Sequence, residues 1–383
     1  MTEALRERLV GHLVSTGRIT SAPLAEAFRM VPRHLFLPGT DPAVVYQDEA
    51  IPTRWSSDGR PTSSSSQPAI VAAMLEQLGL RPGHRVLEIG SGTGWNAALL
   101  AYLVGPAGAV STVDIEPAVA GQAARNLTAA GATGVRVVVG DGSGGDPETA
   151  PFDRIVVTAS ARDLAPAWSA QLADGGRLVL PLSLRGAQSS VAFEPAGDHL
   201  ESVSIVPAGF MPMQGTLAGP DPLRPLGRRD LMLHLDDPRP VDTDALLAAL
   251  DAGGGPITPV PVRRAEVHTG LRVWLALRAP DAGDLVTLQE PATSPTPVLV
   301  GDGALAALVP TGSGTGVRGY GPDGDALAAR LLTEIEAWIA AGRPGTTAVR
   351  IRAYPAGTDL PPPTIDTPNT RFTVDWPAGQ AGS

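Results

Sequence analysis

The sequence predicts an α/β fold in which helices cover a doubly wound, mainly parallel β-sheet. Three observations favour this fold class. From residue 67 onwards, short apolar strands alternate with helices of about ten residues. A glycine-rich loop joins one strand to the next helix within Val86–Leu100 (VLEIGSGTGWNAALL), and acidic residues follow three successive strands. Such alternation is typical of a parallel sheet with helices on both faces.

The elements are predicted from apolar periodicity and from glycine and proline breaks. In chain order they are helix Ile70–Leu80, strand Arg85–Ile89, helix Trp95–Val104, strand Ala109–Val113, helix Val119–Ala130, strand Val135–Val139, strand Arg154–Thr158, helix Leu164–Leu172 and strand Arg177–Leu182. Ser190–Glu194 and Leu200–Val206 follow as consecutive strands. The predicted sheet is therefore Rossmann-like, with a partly antiparallel end.

The chain divides into four predicted regions. Residues 1–65 form a helical and loop-rich cap, with Leu5, Leu9, Leu13 and Val14 on one helix face. Residues 66–215 form the ligand-binding domain, and 216–230, rich in Pro, Gly and Arg, form a linker. Residues 231–383 are long enough for a smaller C-terminal α+β domain. This domain is either a functional addition or a stabilising or dimerising appendage.

Composition excludes several kinds of chemistry. The 29 basic residues are all arginines and cysteine is absent, so lysine bases, thiolate nucleophiles, disulfides and zinc thiolate sites are ruled out. The six histidines lack metal-ligand spacing, and no metal is expected. A net charge of −10 argues against a nucleic-acid partner. No signal peptide or membrane span is evident, and we expect a cytoplasmic protein without a membrane partner.

The glycine-rich loop indicates the ligand. Gly90, Gly92 and Gly94 are spaced G-x-G-x-G, and Trp95 follows them. Dinucleotide-binding loops instead have the spacing G-x-G-x-x-G. Glu88 precedes the first glycine by two positions, where it would repel a pyrophosphate but attract an ammonium or sulfonium group. The loop therefore favours S-adenosyl-L-methionine, with S-adenosyl-L-homocysteine as product, over NAD or a purely structural turn.

Two further acids fit the same cofactor. Asp114 ends the next strand, about 20 residues beyond the loop, where a carboxylate can accept both ribose hydroxyls. The alternative role is a helix N-cap. Asp141 follows a third strand and could accept from the adenine amino group, while Gly142 lets the ring lie close. The alternative there is an ordinary Asp-Gly turn.

At this point the sequence resembles the protein-L-isoaspartate O-methyltransferase family over roughly residues 1–214. The motifs that carry the resemblance are FRMVPRHLFLPG (Phe28–Gly39), VYQDEAIPT (Val45–Thr53), SSSSQPAIVAAML (Ser63–Leu75), GDGSGGDPETAPFDRIVVTAS (Gly140–Ser160) and GGRLVLPL (Gly175–Leu182). The extension, with VRIRAYPAG (Val349–Gly357) and TRFTVDW (Thr370–Trp376), resembles extended actinobacterial relatives associated with ribosomal peptide pathways of the lanthipeptide and ATP-grasp types.

The resemblance implies site residues. Ser66 takes the position of the family's active-site hydroxyl, within a segment that usually reads Thr-Ile-Ser-Gln-Pro and here reads Ser-Ser-Ser-Gln-Pro. The lost Ile removes an apolar contact beside cofactor and acceptor. Without the resemblance, the serine run is simply a flexible polar loop. We assign Ser64, Ser91 and Ile115 to the cofactor site as well. Substrate-binding positions carried over more weakly are Tyr46, Asp48 and Gln67.

The absence of lysine and cysteine agrees with methylation of a carboxylate, which needs no general base because a carboxyl group is already ionised at neutral pH. The expected partner is a peptide or protein with an aspartyl or isoaspartyl carboxylate. We predict esterification of an aspartate in a modified precursor peptide, which promotes succinimide (aspartimide) formation; the alternative is isoaspartyl protein repair. Less favoured are a nucleic-acid methyltransferase, a NAD-dependent oxidoreductase and a non-catalytic binding module.

Overall fold

The chain forms two compact units in the computed structural model, which describes residues 1–57, 59, 61–227, 230–236, 239–287, 294–312 and 314–377. The first unit comprises Met1–Leu182, Ser189–Ala218 and Arg352–Thr373. The second comprises Ser183–Gln188, Gly219–Ile351 and Val374–Ser383. Each unit therefore combines segments that lie far apart in the sequence.

From residue 67 onwards the first part of the chain follows the predicted order of helices and strands, whereas the two strands within residues 51–65 were not predicted. Its helices are Thr2–Ser15 (α1), Ala22–Met30 (α2), Pro42–Val45 (α3), Pro68–Leu78 (α4), Trp95–Val104 (α5), Pro117–Ala129 (α6) and Pro166–Gln171 (α7). Its strands are Ile51–Trp55 (β1), Pro61–Ser65 (β2), Arg85–Ile89 (β3), Ala109–Asp114 (β4), Val135–Val139 (β5), Phe152–Val157 (β6), Leu172–Leu184 (β7), Ala187–Ala196 (β8) and His199–Pro207 (β9).

The later part of the chain is richer in strands. Its helices are Thr243–Asp251 (α8), Arg264–Glu266 (α9), Arg272–Arg278 (α10) and Gly324–Ala340 (α11). Its strands are Leu223–Pro225 (β10), Leu231–His234 (β11), Thr258–Val260 (β12), Ala282–Thr287 (β13), Thr296–Val300 (β14), Leu305–Pro310 (β15), Thr315–Tyr320 (β16), Arg350–Pro355 (β17), Ile365–Asp366 (β18) and Thr370–Asp375 (β19).

A ten-stranded sheet forms the centre of the first unit, in the order β18-β19-β17-β9-β8-β7-β6-β3-β4-β5. Strands β5, β4, β3, β6 and β7 pair in parallel; Val86, for example, lies opposite Val110 on one side and Arg154 on the other. The β8–β9 and β9–β17 pairs are antiparallel. The predicted Rossmann-like fold with a partly antiparallel end is confirmed.

The N-terminal helices bury one face against the core of this unit. Leu9 and Leu13 of α1 are buried, and the rings of Phe28 and Trp95 meet edge to face at 5.3 Å. The predicted apolar face of α1 was wrong in one residue, since Val14 is 47% exposed. It follows Leu13 by a single position, which turns it about 100° around the helix.

The second unit contains a seven-stranded antiparallel sheet in the order β10-β11-β13-β14-β15-β16-β12. Successive residues of β14 enter different cores: Leu299 packs in a cluster with Trp274 and Trp338, whereas Val298 and Val300 pack with α8 residues in another. This alternation follows from the two-residue period of a strand. Helices therefore cover both faces of the sheet.

The observed units differ from the predicted linear domains. Residues 352–373, which we placed in the C-terminal domain, add strands to the sheet of the first unit, because β17 pairs with the free edge of β9. Residues 228 and 229 of the predicted linker lie outside the described residues, and the rest includes β10. None of the helices in the described part of the chain has the length and hydrophobicity that a membrane crossing requires.

A buried carboxylate fixes the late strands of the first unit. Asp163 is 4% exposed and accepts hydrogen bonds from Thr367 Oγ1 at 2.6 Å, from Asn369 N at 2.8 Å and from Asn369 Nδ2 at 2.7 Å. A buried carboxylate is stable only with such donors, so the turn between β18 and β19 is held at one place.

Candidate active site

A cavity of about 280 Å³ opens at the carboxyl ends of β3 and β4. Ligands bind at this edge in open α/β sheets because the strand order reverses there and loops diverge. Its walls come from the end of β2, the β3–α5 loop, the end of β4 and residues 209–214. Of the predicted cofactor and catalytic residues, those that line it are Ser64, Ser66, Glu88, Gly90, Ser91, Gly92, Asp114, Ile115 and Gly142.

The glycine loop approaches its neighbours too closely for side chains. Gly90 has a φ of +98°, and a Cβ there would collide with Thr158 Oγ1, whose hydroxyl donates to the Gly90 carbonyl at 2.8 Å. At Gly94, with a φ of +86°, a Cβ would lie 3.2 Å from the Ala123 carbonyl oxygen of α6. Glycine is therefore required both for the turn and for packing of the loop.

Glu88 is fully buried at the end of β3. Its carboxylate accepts from Asn96 Nδ2 at 2.7 Å, and the Thr112 hydroxyl lies 2.5 Å from its other oxygen and 2.9 Å from Ser91 Oγ. Burial raises the pKa of Glu88 to about 7, against the effect of these hydrogen bonds. A cationic ligand beside this carboxylate would favour its ionised form.

Sequence reasoning missed Asn96 and Thr112. A signal was present for Asn96, a polar residue in the otherwise apolar helix α5, but not for Thr112, because β4 contains other polar residues. A buried polar side chain needs a partner, and here the partner is Glu88. Asn96 lines the cavity, and the hydrogen bonds of both side chains orient the Glu88 carboxylate.

Asp114 ends β4 with its carboxylate in the cavity wall. Its Oδ2 accepts from Gly92 N at 3.2 Å and its Oδ1 from Glu116 N at 3.1 Å. Burial raises the pKa of Asp114 above its ordinary value. The alternative role of helix N-cap is wrong, because Glu116 occupies that position of α6. Asp114 instead connects the glycine loop with the turn before the helix.

Asp141 lies beside the cavity, and Gly142 lines it. The Asp141 Oδ1 accepts from Ser143 N at 2.9 Å, and Oδ2 accepts from Thr216 N and Thr216 Oγ1 at 2.7 Å each. Partial burial raises the pKa of Asp141, but these hydrogen bonds outweigh it and lower the pKa to about 2. The Asp-Gly turn therefore exists and also binds a distant segment.

That segment, residues 209–217, crosses one side of the cavity. Met211 O accepts from Ser160 N and Met213 N donates to Ser160 O, both at 2.8 Å. Gly215 has a φ of +82°, and a Cβ there would lie 2.5 Å from the Asp141 carboxylate. Nothing in the local sequence pattern indicated this contact, because its two sides are 75 residues apart.

Ser63–Ser66 form another part of the cavity lining, which we call the serine wall. Ser63, Ser64 and Ser65 belong to β2, which pairs with β1 as an antiparallel hairpin, and Ser66 follows directly. The alternative of a flexible polar loop is therefore wrong for Ser63–Ser65. The Ser65 side chain, at the position of the family's Ile, is buried, and its hydroxyl contacts Arg33.

The three weaker substrate-site candidates lie in different places. Gln67 lines the cavity, and its Nε2 donates to Asp48 O at 2.9 Å. The Asp48 carboxylate accepts from Ala69 N at 2.8 Å at the start of α4, so it holds this helix end in place. Tyr46 is buried and lies on a separate open groove, with its hydroxyl 2.8 Å from His34 Nδ1. Gln67 and Asp48 also line that groove.

Among the described residues that line the cavity, the titratable ones are all acids: Glu88, Asp114 and Glu116. Such a site suits a cationic ligand and an acceptor that requires no removal of a proton.

The comparisons with known proteins agree with this geometry. Protein-L-isoaspartate O-methyltransferase of Methanoculleus marisnigri is 40% identical over 210 residues, which cover 55% of this chain and 91% of the relative. The enzyme of the same name from Methanopyrus kandleri is 44% identical over 194 residues, covering 50% and 83%. The profile of the protein-L-isoaspartate(D-aspartate) O-methyltransferase family matches residues 4–217.

The chain belongs to this family. It is an S-adenosyl-L-methionine-dependent O-methyltransferase, as the sequence predicted. The family's substrates are isoaspartyl residues of proteins and peptides. A solved structure named protein-L-isoaspartate O-methyltransferase shares its fold over 91% of this chain and 96% of that chain, with a TM-score of 0.54 at 24% identity. The fold likeness therefore extends well beyond the family-matched region.

The residues of the cavity fit this cofactor. Glu88 and Asp114 supply acids at adjacent strand ends, and a cofactor with an ammonium and a sulfonium group balances their charge. Gly90, Gly92 and Gly142 line the cavity without side chains, so a ligand can approach their backbone closely.

Proposed function

We propose that the enzyme methylates an aspartyl-type carboxylate of a peptide or protein, and that isoaspartate is its principal acceptor. The observation that carries this proposal is that the serine wall lines the same cavity as Glu88 and Asp114, so hydroxyl donors and cofactor-binding acids share one site. The 40% identity to enzymes named for isoaspartate supports the choice of acceptor.

In this proposal each cofactor group has a partner. Glu88, oriented by Asn96 and Thr112, would hold the ammonium group of the methionine part. Asp114 would accept from the ribose hydroxyls, and Gly142 and Ile115 would flank the adenine. Ser64, Ser91, Gly90, Gly92, Gly94 and, beside the adenine, Asp141 complete the proposed set. The bound cofactor would supply an electrophilic methyl group.

The acceptor side of the site has an orienting task. A carboxylate is already ionised at neutral pH, so the enzyme accelerates transfer by alignment and partial desolvation. Ser66 would donate to one carboxylate oxygen and direct the other toward the methyl group. Gln67, fixed through Asp48, would contact the acceptor peptide. The resulting ester is activated, because the following backbone amide can displace methanol and close a succinimide.

A second candidate acceptor is an aspartate of a modified ribosomal precursor peptide. Ser65 favours it, since a polar side chain replaces the apolar residue that the family usually has beside the acceptor. The second unit also favours it, because the family match ends at residue 217. Such a substrate would offer an ordinary aspartate in a constrained loop.

The experiment compares acceptors under identical conditions. Purified enzyme and S-adenosyl-L-methionine are incubated with three peptides that differ only in isoaspartate, aspartate or asparagine at one position, and with a cyclised aspartyl peptide. Mass spectrometry follows methyl addition and subsequent loss of methanol. We expect the isoaspartyl peptide to react and the asparaginyl peptide to remain unchanged. Reaction of the cyclised aspartyl peptide alone would transfer the assignment to precursor maturation.

A further inference from the structure

Arg33 carries a buried guanidinium. The residue is 1% exposed and lies between α2 and α3. No acidic side chain lies within ion-pair distance of its guanidinium in the described chain; Asp48 acts on it only from farther away. Burying a charge is costly unless its donors are satisfied, so the hydrogen bonds of Arg33 have to replace water.

Backbone carbonyl groups provide this replacement. Nη1 donates to Val45 O at 2.7 Å and to Gln47 O at 3.3 Å, and Nη2 donates to Glu49 O at 3.1 Å. These carbonyls belong to the last residue of α3 and to the turn and bends that follow it, so the guanidinium holds an irregular segment. Arg33 therefore fixes residues 45–49, which include Asp48.

The same guanidinium holds the serine wall. Nη2 donates to Ser66 O at 3.0 Å and to Ser65 O at 3.3 Å, and Nε lies 3.4 Å from Ser65 Oγ. One planar group thus joins the two segments that carry Asp48 and Ser66. Arg33 therefore holds the serine wall through two backbone carbonyls and the Ser65 hydroxyl.

Arg33 also contacts the cofactor side. Its guanidinium lies over the ring of Trp95 at 5.1 Å, and Trp95 begins α5 directly after the glycine loop. The indole Nε1 donates to Val31 O at 3.3 Å, two residues before Arg33. The acceptor wall and the cofactor loop therefore share one buried contact.

We propose that Arg33 is a positioning residue for methyl transfer, which holds the Ser66 and Asp48 segments in register with the cofactor loop. Only the expected effect on methyl transfer rests on the proposed function; the structural role of Arg33 does not. Lysine cannot replace this residue, because an ammonium has three donors and no planar fork for carbonyls on two sides. Although burial lowers the pKa of Arg33 to about 10, the guanidinium remains charged at neutral pH.

The test uses Arg33→Lys with Arg154→Lys as matched control. Arg154 also donates to backbone carbonyls, Leu78 O and Asp153 O at 2.7 Å each, but near the opposite end of β6. For Arg33→Lys we expect a fall of at least about 10-fold in kcat/KM for the isoaspartyl peptide, with the Kd of S-adenosyl-L-methionine changed less than about threefold. Amide hydrogen exchange should rise in residues 45–49 and 64–67. Arg154→Lys should leave all three quantities near those of the wild type.

Ser65→Ala provides a milder variant that removes only the hydroxyl contact, and it should shift kcat/KM in the same direction by a smaller factor. Unchanged exchange in both segments, or unchanged transfer, would overturn the role of Arg33. Equal losses of cofactor affinity and transfer in Arg33→Lys and Arg154→Lys would also overturn it and assign a general structural role. If wild-type enzyme methylates none of the peptides, the proposed function fails, while the exchange data still decide what Arg33 holds.

Discussion

Asp141 accepts two hydrogen bonds from Thr216, one from the backbone N and one from Oγ1, both at 2.7 Å. The carboxylate thereby joins the turn after β5 to the segment after β9. Since Gly142, the next residue, lines the cavity, these hydrogen bonds help to hold one part of the cavity wall in place.

Removing the Thr216 hydroxyl should weaken cofactor binding. Thr216→Val keeps the backbone bond and the side-chain shape but removes one hydrogen bond, worth about 1 kcal/mol or roughly fivefold in Kd. Isothermal titration with S-adenosyl-L-homocysteine measures this change. Thr128→Val is the control, because its exposed hydroxyl bonds within helix α6. Unaltered affinity in Thr216→Val would show that the segment does not influence the cofactor side.

Ionisation of Glu88 should make cofactor binding depend on pH. Its folded-state pKa of about 7 exceeds the ordinary 4.5, so protonation of Glu88 stabilises the folded protein. This stabilisation is complete below pH 4.5 and is lost as the pH rises through 7. An ammonium group binds the ionised form instead. The Kd should therefore increase as pH falls from 8 to about 6.

The variant Glu88→Gln isolates this effect. It removes the buried charge, so affinity should fall about 10- to 100-fold and its dependence on Glu88 ionisation should disappear. Thermal stability at pH 8 should be equal to or above that of the wild type, because burial of a charge no longer opposes folding. A pH dependence identical to that of the wild type would assign the titration to another group.

Ser66→Ala should separate binding from chemistry. Loss of a hydrogen bond to a carboxylate costs about 1.5–3 kcal/mol, so kcat/KM for the isoaspartyl peptide should fall about 10- to 100-fold. The Kd of S-adenosyl-L-methionine should remain within about twofold, since Glu88 and Asp114 are untouched. Ser63→Ala controls for the altered polarity of the wall. Full activity of Ser66→Ala would remove the Ser66 hydroxyl from the mechanism.

Asp163→Ala should release the strands β18 and β19. The substitution leaves Thr367 and Asn369 without their buried acceptor and costs about 2–4 kcal/mol locally. Limited proteolysis and amide exchange between residues 357 and 375 measure this loosening. Asp366→Ala is the matched control, because Asp366 is largely exposed and pairs with Arg371 at the surface. Equal protection in Asp163→Ala and wild type would contradict the anchoring role.

Local patterns predicted the parallel half of the sheet well. Strand Arg85–Ile89, helix Trp95–Val104 and strand Val135–Val139 occur residue for residue, because glycines bound the loop and apolar residues fill these strands. Strand Arg177–Leu182 was too short, since β7 begins at Leu172. Boundaries between a short helix and a strand have weak local signals.

Contacts between distant segments were not predictable from one sequence. Arg33 lies in the motif Phe28–Gly39, which indicated the family but no role for this residue. Its five carbonyl partners occupy two other segments. Thr216 was assigned to a linker, although it binds Asp141. Neither contact follows from periodicity, which reports only which face of an element is buried.

The position of β17 also matters for how the chain folds as it leaves the ribosome. The family-matched residues 4–217 emerge first, but the edge of β9 stays without its partner until residues 352 and 353 have been synthesised. During that interval a nascent chain exposes an unpaired strand edge, which attracts other strands. Expression of a fragment that stops near residue 218 would make this transient exposure permanent, so its aggregation would report on assembly of the sheet rather than on loss of the catalytic residues.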